Sequence, residues 1–265
     1  MPLRYTRPPV AAPRKNVRFT VAYDGRAFHG WQRHPGVPTV QGALEAALCK
    51  VCDAPVEVRG AGRTDRGAHA QGQVASARVP EAVEMDTLQA AVQAALPEGV
   101  SVRDVRATER EFHARMSAIG KRYVYTIHNQ EELPAEARGR VWHVPEALDV
   151  EAMRACLDIF VGEHDFASFA TKANHARKTT VRTVTSFTLE HDAPRIVLRI
   201  EADGFLYKMV RNLVRAIVKV GEGRWTPQRL REILAARDRQ AAPGTAPASG
   251  LCLEEVFYPQ EDPAS

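Results

Sequence analysis

The sequence lacks most features that would assign it to a membrane, secreted or metal-binding class of protein. Its 265 residues include only four cysteines, and no apolar run approaches the ~20 residues that cross a bilayer. No apolar signal core follows the N-terminus, so we expect a cytoplasmic protein. The net charge is only +4. Such a mildly basic balance is compatible with an RNA partner but does not require one.

The cysteines do not indicate a metal site. Cys49 and Cys52 have the spacing of a zinc-binding pair, but no second pair or histidine cluster accompanies them. They fall near the end of a predicted helix, where buried thiols pack as small hydrophobic side chains. A phosphate-binding loop motif is absent as well. The sequence therefore predicts no metal ion and no other cofactor.

What the sequence does contain is a similar succession of strand and helix patterns in its two halves. Each half has the pattern strand, helix, strands, helix, strand, which is typical of an α+β fold. We expect two similar subdomains with mostly antiparallel sheets backed by helices, and an active-site cleft between them. The predicted boundaries are a flexible basic arm at 1–15, subdomains at 16–112 and 113–258, and a tail at 259–265.

Individual elements follow from apolar periodicity and from helix-capping residues. Thr39 is a suitable N-cap for a helix through Val51, and Thr226 followed by proline opens another helix. A third helix is predicted from Leu206 to Val220. Two more helices are predicted at Asp86 and Asp149, and strands at residues 17–23, 56–59, 73–78, 100–105, 123–127, 181–189, 196–201 and 251–257.

The most distinctive stretch is the glycine-rich run GAGRTDRGAHA at residues 60–70. Apolar alternation on both sides predicts a loop between two strands. Glycines there let the backbone approach a ligand closely, and a neighbouring cation can hold the carboxylate of Asp65 ionised and oriented. A carboxylate presented in this way can act as a nucleophile. On composition alone, however, such a loop is more often an ordinary turn.

The run GRTDRGAHA resembles the GRTDxGVHA signature of the TruA-type tRNA pseudouridine synthases. In that family the aspartate attacks the target uridine. The resemblance therefore implies that Asp65 is the nucleophile and that Arg63 is its positioning partner. Ala68 departs from the usual valine, and Arg66 fills a variable position, where we expect it to contact RNA.

Two motifs in the first half of the chain extend the resemblance. Residues 23–32 are similar to the family's YDGxxxxGWQ element, and residues 112–115 match its FHAR element. Both have ordinary alternatives, because a Tyr-Asp-Gly sequence ends many strands and a lone histidine is more often structural than catalytic. From the resemblance we expect substrate contacts from Tyr23, Gln32, His69, His113 and Arg115.

Residues 121–125 resemble the family's RRYxY element, in which Tyr123 holds the position of the active-site tyrosine. A flat ring there can stack on a flipped base, and its hydroxyl can take part in proton transfer. Lys121 is expected to contact the substrate as well. For Tyr125 we favour an inward-facing core position.

Residues 205–212 resemble the family's FxxxMVRN element, whose arginine pairs with the catalytic aspartate and corresponds to Arg211. Lys208, Arg211, Arg215 and Lys219 recur on one face of the predicted helix. Such a basic stripe is usually a solvated face, which we expect for Lys219. Lys208 and Arg215 are candidate RNA contacts, and Arg215 stands where the family usually has glycine.

Residues 246–251 resemble the family's TAPAxGL element, in which Leu251 closes the pocket. The motifs occur in the family's order between residues 17 and 258. Together they imply an isomerase that converts uridine to pseudouridine at positions 38, 39 and 40 of the tRNA anticodon stem-loop. The resemblance also implies a homodimer that grips tRNA.

Two other functions are compatible with parts of the sequence. A non-catalytic RNA-binding module could stack bases on Tyr123 and Tyr125, and it would need no cation paired with Asp65. A metal-dependent nuclease could use Asp65 together with further carboxylates. The nearest candidates, Asp24 and Asp53, lie on different predicted elements.

Overall fold

A computed structural model describes residues 13–171 and 179–259 of the protein. Its helices are α1 (Val40–Cys52), α2 (Met85–Ala95), α3 (Val150–Arg154), α4 (Met209–Gly221) and α5 (Pro227–Ala236). Its strands are β1 (Arg14–Tyr23), β2 (Val58–Gly60), β3 (His69–Pro80), β4 (Val100–Thr108), β5 (Gly120–His128), β6 (Trp142–His143), β7 (Gly162–Asp165), β8 (Val181–Asp192), β9 (Arg195–Ala202) and β10 (Leu251–Phe257).

All ten strands belong to one sheet, in the order β4-β1-β3-β10-β5-β9-β8-β7, with β2 beside β3 and β6 beside β5. The sheet is mostly antiparallel, and β10 runs parallel to β3 but antiparallel to β5. The last strand of the chain therefore lies between strands from its two halves and joins them. The predicted α+β class with mostly antiparallel strands is confirmed. The predicted boundary at residues 112 and 113 falls between β4 and β5.

The core lies where helices cover the sheet. Alternate side chains of β1 are buried on this face, namely Val17, Phe19, Val21 and Tyr23. Burying each such aliphatic or aromatic side chain contributes about 1.5–3 kcal/mol relative to leaving it in water. In the first half, α1 and α2 contact each other, while α3 and α4 contact each other in the second half.

Helix starts follow the predicted capping residues. Thr39 Oγ1 accepts the N–H of Gly42 at the start of α1, and Thr226 Oγ1 accepts that of Arg229 at the start of α5. The side chain of Asp149 caps α3 in the same way. Each cap satisfies a helix N–H that has no partner within the helix.

Two predicted helices differ from the structure. The helix expected from Leu206 begins only at Met209, because Lys208 adopts a left-handed conformation with a φ of 62° and interrupts the helix before it. The helix opened by Asp149 ends at Arg154, and a tighter turn follows over Leu157–Phe160. The short strands β6 and β7 were not predicted, since two to four residues carry no readable alternation.

The sheet and α4 bring three segments of the chain together. The β2–β3 loop (residues 61–68), the N-terminal turn of α4 and the inward-facing side of β5 meet near the strand that joins the two halves. Across the described residues, no helix is both long and apolar enough to cross a membrane.

Candidate active site

The β2–β3 loop is anchored to the sheet on both sides of residue 63. Gly62 donates its N–H to Gln73 Oε1 at 3.2 Å, and Gln73 Nε2 donates back to the carbonyl of Gly62 at 2.7 Å. The carbonyl of Thr64 accepts the N–H of Trp31, and its hydroxyl shares a hydrogen bond of 2.8 Å with the Tyr23 hydroxyl. Because Gln73 is fully buried, these bonds are shielded from water and hold the loop in one conformation.

Two glycines permit this close packing. Gly30 has a φ of +92°, and a Cβ placed on it would lie 2.7 Å from the carbonyl oxygen of Thr64. A Cβ on Gly60 would lie 2.4 Å from the ring of Trp31. Both positions exclude larger residues. The elements at 23–32 and 60–70 therefore support each other, and Tyr23 lies beneath the loop rather than at an open surface.

The loop and α4 form a partly buried ion pair. Arg211 Nη1 donates to Asp65 Oδ2, and the two side chains are 13% and 20% exposed. Arg211 is fixed by the segment before β10, since its Nε donates to the carbonyl of Ala246 at 2.7 Å. Residues 146 positions apart are thus joined by a charge-assisted hydrogen bond.

The two oxygens of the Asp65 carboxylate differ in their hydrogen bonding. Within residues 13–171 and 179–259, no donor bonds to Asp65 Oδ1. Arg211 therefore orients the carboxylate through one oxygen and leaves the other available to a ligand. A carboxylate held in this way has the geometry of a nucleophile.

Arg63 does not take the predicted position beside Asp65. Its neighbours Gly62 and Thr64 are bonded inward, so the side chain of Arg63 points outward and is exposed. Among the described residues it forms no ion pair. Arg66 is exposed on the same loop. The structure therefore pairs the aspartate with Arg211 and leaves Arg63 at the surface.

Tyr123 lies next to this pair on β5. Its ring is 7% exposed and meets the edge of Phe205 at a centroid distance of 5.0 Å. Burial raises the pKa of Tyr123, and the charge of Asp65 raises it further, so the phenol keeps its proton well above neutral pH. In the described part of the chain, its hydroxyl has no hydrogen-bond partner. A neutral hydroxyl therefore lies close enough to Asp65 for the charge of the carboxylate to raise its pKa.

Tyr125 and the segment 246–251 form the wall behind the site. The Tyr125 hydroxyl donates to the carbonyl of Pro247 at 2.7 Å, and its ring is fully buried. Gly250 packs against this ring so closely that a Cβ would lie 2.6 Å from it. Leu251 is buried opposite Tyr125 in the pairing of β10 with β5. Tyr125 thus occupies the inward core position that we favoured for it.

The two histidines expected to touch substrate are engaged in backbone contacts. His69 accepts the N–H of Gly25 at Nδ1 and donates from Nε2 to the carbonyl of Gly139. Burial lowers the pKa of His69, which is consistent with the neutral ring that these two bonds require. His113 Nδ1 accepts the N–H of Arg115 within its own turn. Both rings hold loops in place, and Arg115 itself is exposed.

The basic stripe of α4 is partly neutralised. Glu222 lies 2.6 Å from Lys219 and 3.7 Å from Arg215. The guanidinium of Arg215 also lies over the ring of Trp142 at 5.1 Å. Lys219 is therefore not on a solvated face as expected, because an acidic residue three positions later holds it in a shielded ion pair. Lys208 lies at the N-terminal end of the stripe.

Among the residues that the structure describes, the remaining candidates form no hydrogen bond or ion pair with Asp65 or Arg211. Gln32 is exposed, and Lys121 is half-buried on β5. Cys49 and Cys52 are free thiols, and Cys49 accepts the N–H of Val56. No group of three or more histidine, cysteine or acidic side chains that could hold a metal occurs in the part of the chain that the structure describes.

The chain is similar to known proteins over most of its length. A family model described as tRNA pseudouridine synthase matches residues 19–117 and 157–259. The tRNA pseudouridine synthase A of Methylacidiphilum infernorum is 43% identical, over 92% of this chain and 96% of its own length. That of Solidesulfovibrio magneticus is 46% identical, over 91% and 90%. Asp65 lies in the first range that the family model matches and Arg211 lies in the second, whereas Tyr123 lies between the two ranges. The chain belongs to the tRNA pseudouridine synthase family, whose members are isomerases acting on tRNA.

Proposed function

We propose that this protein isomerises uridine to pseudouridine at positions 38, 39 and 40 of the tRNA anticodon stem-loop, with Asp65 as the nucleophile. The observation that carries the proposal is the partly buried pair of Asp65 and Arg211, in which one carboxylate oxygen has no donor among the described residues. Neither a non-catalytic RNA-binding module nor a surface loop has a use for this pair.

The reaction rearranges one nucleotide without net loss or gain of atoms. The N1–C1′ bond of uridine breaks, the base rotates, and a C5–C1′ bond forms. C5 gives up a proton and N1 takes one up, so no electrons are exchanged with another molecule. The chemistry requires a nucleophile, a proton acceptor for C5 and a site from which water is excluded.

Asp65 attacks the bound nucleotide through its free oxygen, at C1′ or at the base. Arg211 holds the carboxylate in position and stabilises its charge until the new bond forms. The anchoring of the β2–β3 loop by Gln73 and Tyr23 keeps the carboxylate aimed in one direction. A displacement of about 1 Å in such a site costs roughly 10²-fold in rate.

Tyr123 stacks on the base and relays the C5 proton. Because its pKa is raised, the hydroxyl is protonated when substrate binds and cannot begin as a phenolate base. It can accept the C5 proton only as it passes its own proton on. The nearby carboxylate of Asp65, once released from the nucleotide, is a suitable acceptor.

A paired uridine must leave its stack to reach Asp65. The exposed side chains of Arg63 and Arg66 lie beside Asp65 in the same loop, where the extruded nucleotide's backbone would pass. We assign both to RNA contact, in place of the pairing expected between Arg63 and Asp65. Lys208 and the guanidinium of Arg215 would extend this contact along α4, and Leu251 would limit the pocket behind the base.

The proposal includes a homodimer that grips tRNA in the cytoplasm, where tRNA is modified. Its support is the family to which the chain belongs. Light scattering after size-exclusion chromatography should give two protomers for the free protein and for its tRNA complex. A monomer in both states would contradict the dimer, and cell fractionation tests the location.

The function is tested by tritium release from C5-labelled uridine in unmodified tRNA. Wild-type protein should release tritium in EDTA as long as the tRNA stays folded, and chemical mapping should find pseudouridine at positions 38 to 40. RNA cleavage that returns only with a metal ion would indicate a nuclease. Tight binding without tritium release would indicate an RNA-binding module.

A further inference from the structure

Three cationic side chains lie at one end of the sheet, beside the active site. Lys121 lies at the start of β5, Arg182 lies at the start of β8, and Arg115 lies in the connection that precedes β5. Lys121 and Val184 both pair with Ala202 of β9. The strands therefore bring Lys121 and Arg182 to the same end of the sheet. We refer to Arg115, Lys121 and Arg182 as the cation cluster.

The cation cluster adjoins both the β2–β3 loop and the active-site tyrosine. A Cβ placed on Gly62 would lie 3.6 Å from Lys121 Cε and 3.7 Å from the Tyr123 hydroxyl. A Cβ on Gly204 would lie 3.4 Å from Arg182 Nε. Gly204 directly precedes the phenylalanine whose ring meets that of Tyr123. The cation cluster therefore lies directly beside the proposed nucleotide site.

No acidic side chain among the described residues forms an ion pair with the cation cluster. Within residues 13–171 and 179–259, none of the three side chains forms an ion pair, whereas Arg122, next to Lys121, pairs with glutamates. Burial lowers the pKa of Lys121, and the charges of Arg115 and Arg182 lower it further. Asp203 accepts a backbone N–H of β8 instead of joining the cluster. Like charges in this arrangement become favourable when an anion binds among them.

We propose that the cation cluster binds a phosphodiester of the RNA backbone next to the uridine at Asp65. A guanidinium offers two parallel donors to a phosphate and an ammonium supplies a point charge, so the cluster suits one phosphate group. The inference rests on the proposed function, since the ligand is RNA that already enters the site. Arg115, Lys121 and Arg182 act here as positioning residues that fix the register of the extruded nucleotide.

The first experiment compares Lys121→Gln with Lys121→Arg and with the control Arg195→Gln. Arg195 is exposed at the opposite end of β9, about 23 Å from Ala202 at ~3.3 Å per residue. Loss of the Lys121 charge should weaken the affinity for unmodified tRNA by about 10-fold or more. It should also reduce the slope of log affinity against log salt by about 0.7 to 0.9. Lys121→Arg should restore both, and Arg195→Gln should change neither.

An unchanged affinity and salt slope in Lys121→Gln would overturn the proposal. A second result would also overturn it. If Lys121→Gln loses activity and Lys121→Arg restores binding but not activity, the reaction requires proton chemistry that only lysine can supply. Thermal melting checks that each variant folds. Arg115→Gln, at an exposed position, provides the same binding measurement if the half-buried Lys121→Gln fails to fold.

The second experiment identifies the phosphate. Stem-loop RNAs carry a single uncharged methylphosphonate at each position within two nucleotides of the target uridine. At one position, the methylphosphonate should weaken wild-type binding by about 10-fold. The same substitution should not weaken the binding of Lys121→Gln any further. If the losses of affinity caused by the methylphosphonate and by Lys121→Gln add up at every position, Lys121 contacts none of these phosphates. That result would overturn the phosphate contact even though the wild-type protein is active. Absence of pseudouridine with the wild type would instead contradict the proposed function.

Discussion

Adjacent residues of β5 face two arginine–carboxylate sites that differ in kind. Arg122 points to one face of the sheet, where it contacts Glu201 at 2.6 Å, Glu255 at 2.8 Å and Glu254 at 3.7 Å. Tyr123 points to the other face, where Arg211 holds Asp65 alone. The first site has more carboxylate oxygens than it has donors, and all its members remain at least a quarter exposed. The second is more deeply buried.

The comparison separates an ion-pair network that contributes to stability from a pair that we propose serves the reaction. Solvent screens the network around Arg122, so each of its contacts contributes at most about 1 kcal/mol. The network continues through Glu254 to Arg199, which also pairs with Glu190 at 2.5 Å. In the pair of Asp65 and Arg211, one carboxylate oxygen has no donor among the described residues, and Tyr123 lies close by. A substrate can therefore bind to the carboxylate oxygen that has no donor.

Apart from the loss of the nucleophile itself, the largest difference between the two faces should come from the Tyr123 hydroxyl. Tyr123→Phe keeps the ring against Phe205 and removes the proton relay, so turnover should fall by about 10³-fold with nearly unchanged tRNA affinity. Single-turnover tritium release together with a binding titration measures both quantities. An active Tyr123→Phe combined with an inactive Tyr123→Leu would show that the ring only stacks.

Because burial and Asp65 raise the pKa of Tyr123, the neutral phenol should persist above the ordinary range near pH 10. An absorbance titration of folded wild-type protein against Tyr123→Phe at 295 nm should therefore show no difference below about pH 10. A difference that develops between pH 8 and 10 would mean that the hydroxyl ionises readily and acts as a base directly.

The next largest effect should come from Arg211, the arginine that pairs with the proposed nucleophile. Arg211→Met should lower turnover by about 10²-fold, because the carboxylate loses its only cation among the described residues. Arg211→Lys should recover part of that loss. Weakened tRNA affinity with unchanged single-turnover chemistry would instead make Arg211 a phosphate contact.

A smaller effect should follow from removing the buried amide beneath the loop. Gln73→Ala leaves the N–H and carbonyl of Gly62 without their partner, which should cost about 1–3 kcal/mol in the free energy of unfolding. Denaturant unfolding measures this loss. A stability within 0.5 kcal/mol of wild type, as for ordinary surface changes, would show that water replaces the amide at no cost.

The smallest effect should be at the other face. Glu201→Gln should lower the free energy of unfolding by about 1 kcal/mol or less, since both partners are partly exposed and Glu255 remains. Turnover should stay within twofold of wild type. If Glu201→Gln lost as much activity as Arg211→Met, the two sites would not differ in function.

Much of the fold could be predicted from local patterns. The alternation in β1 and the caps at Thr39 and Thr226 are determined by neighbouring residues, so the sequence shows them directly. The start of α4 could not be predicted, because the left-handed conformation of Lys208 is set by the contacts of the surrounding loop. The position of β10 between β3 and β5 depends on long-range pairing, which has no local signal.

The site divides in a similar way. Motif resemblance identified Asp65, Tyr123 and Arg211, and the structure brings these three together. The resemblance could not predict that the Arg63 side chain points outward, because this orientation depends on the hydrogen bonds of Gly62 and Thr64. The buried Gln73 was missed altogether, since a glutamine within a strand has no signal that predicts a loop as its partner.

The central claim is that Asp65 is the nucleophile and that Arg211 holds it for that purpose. The most direct test is single-turnover formation of pseudouridine by Asp65→Asn, with enzyme in excess and tRNA affinity measured in parallel. The asparagine keeps the shape and loses the nucleophile, so the rate should fall by about 10⁴-fold or more with near-normal folding and binding. Pseudouridine formed at a measurable fraction of the wild-type rate by a clean Asp65→Asn preparation would contradict the claim.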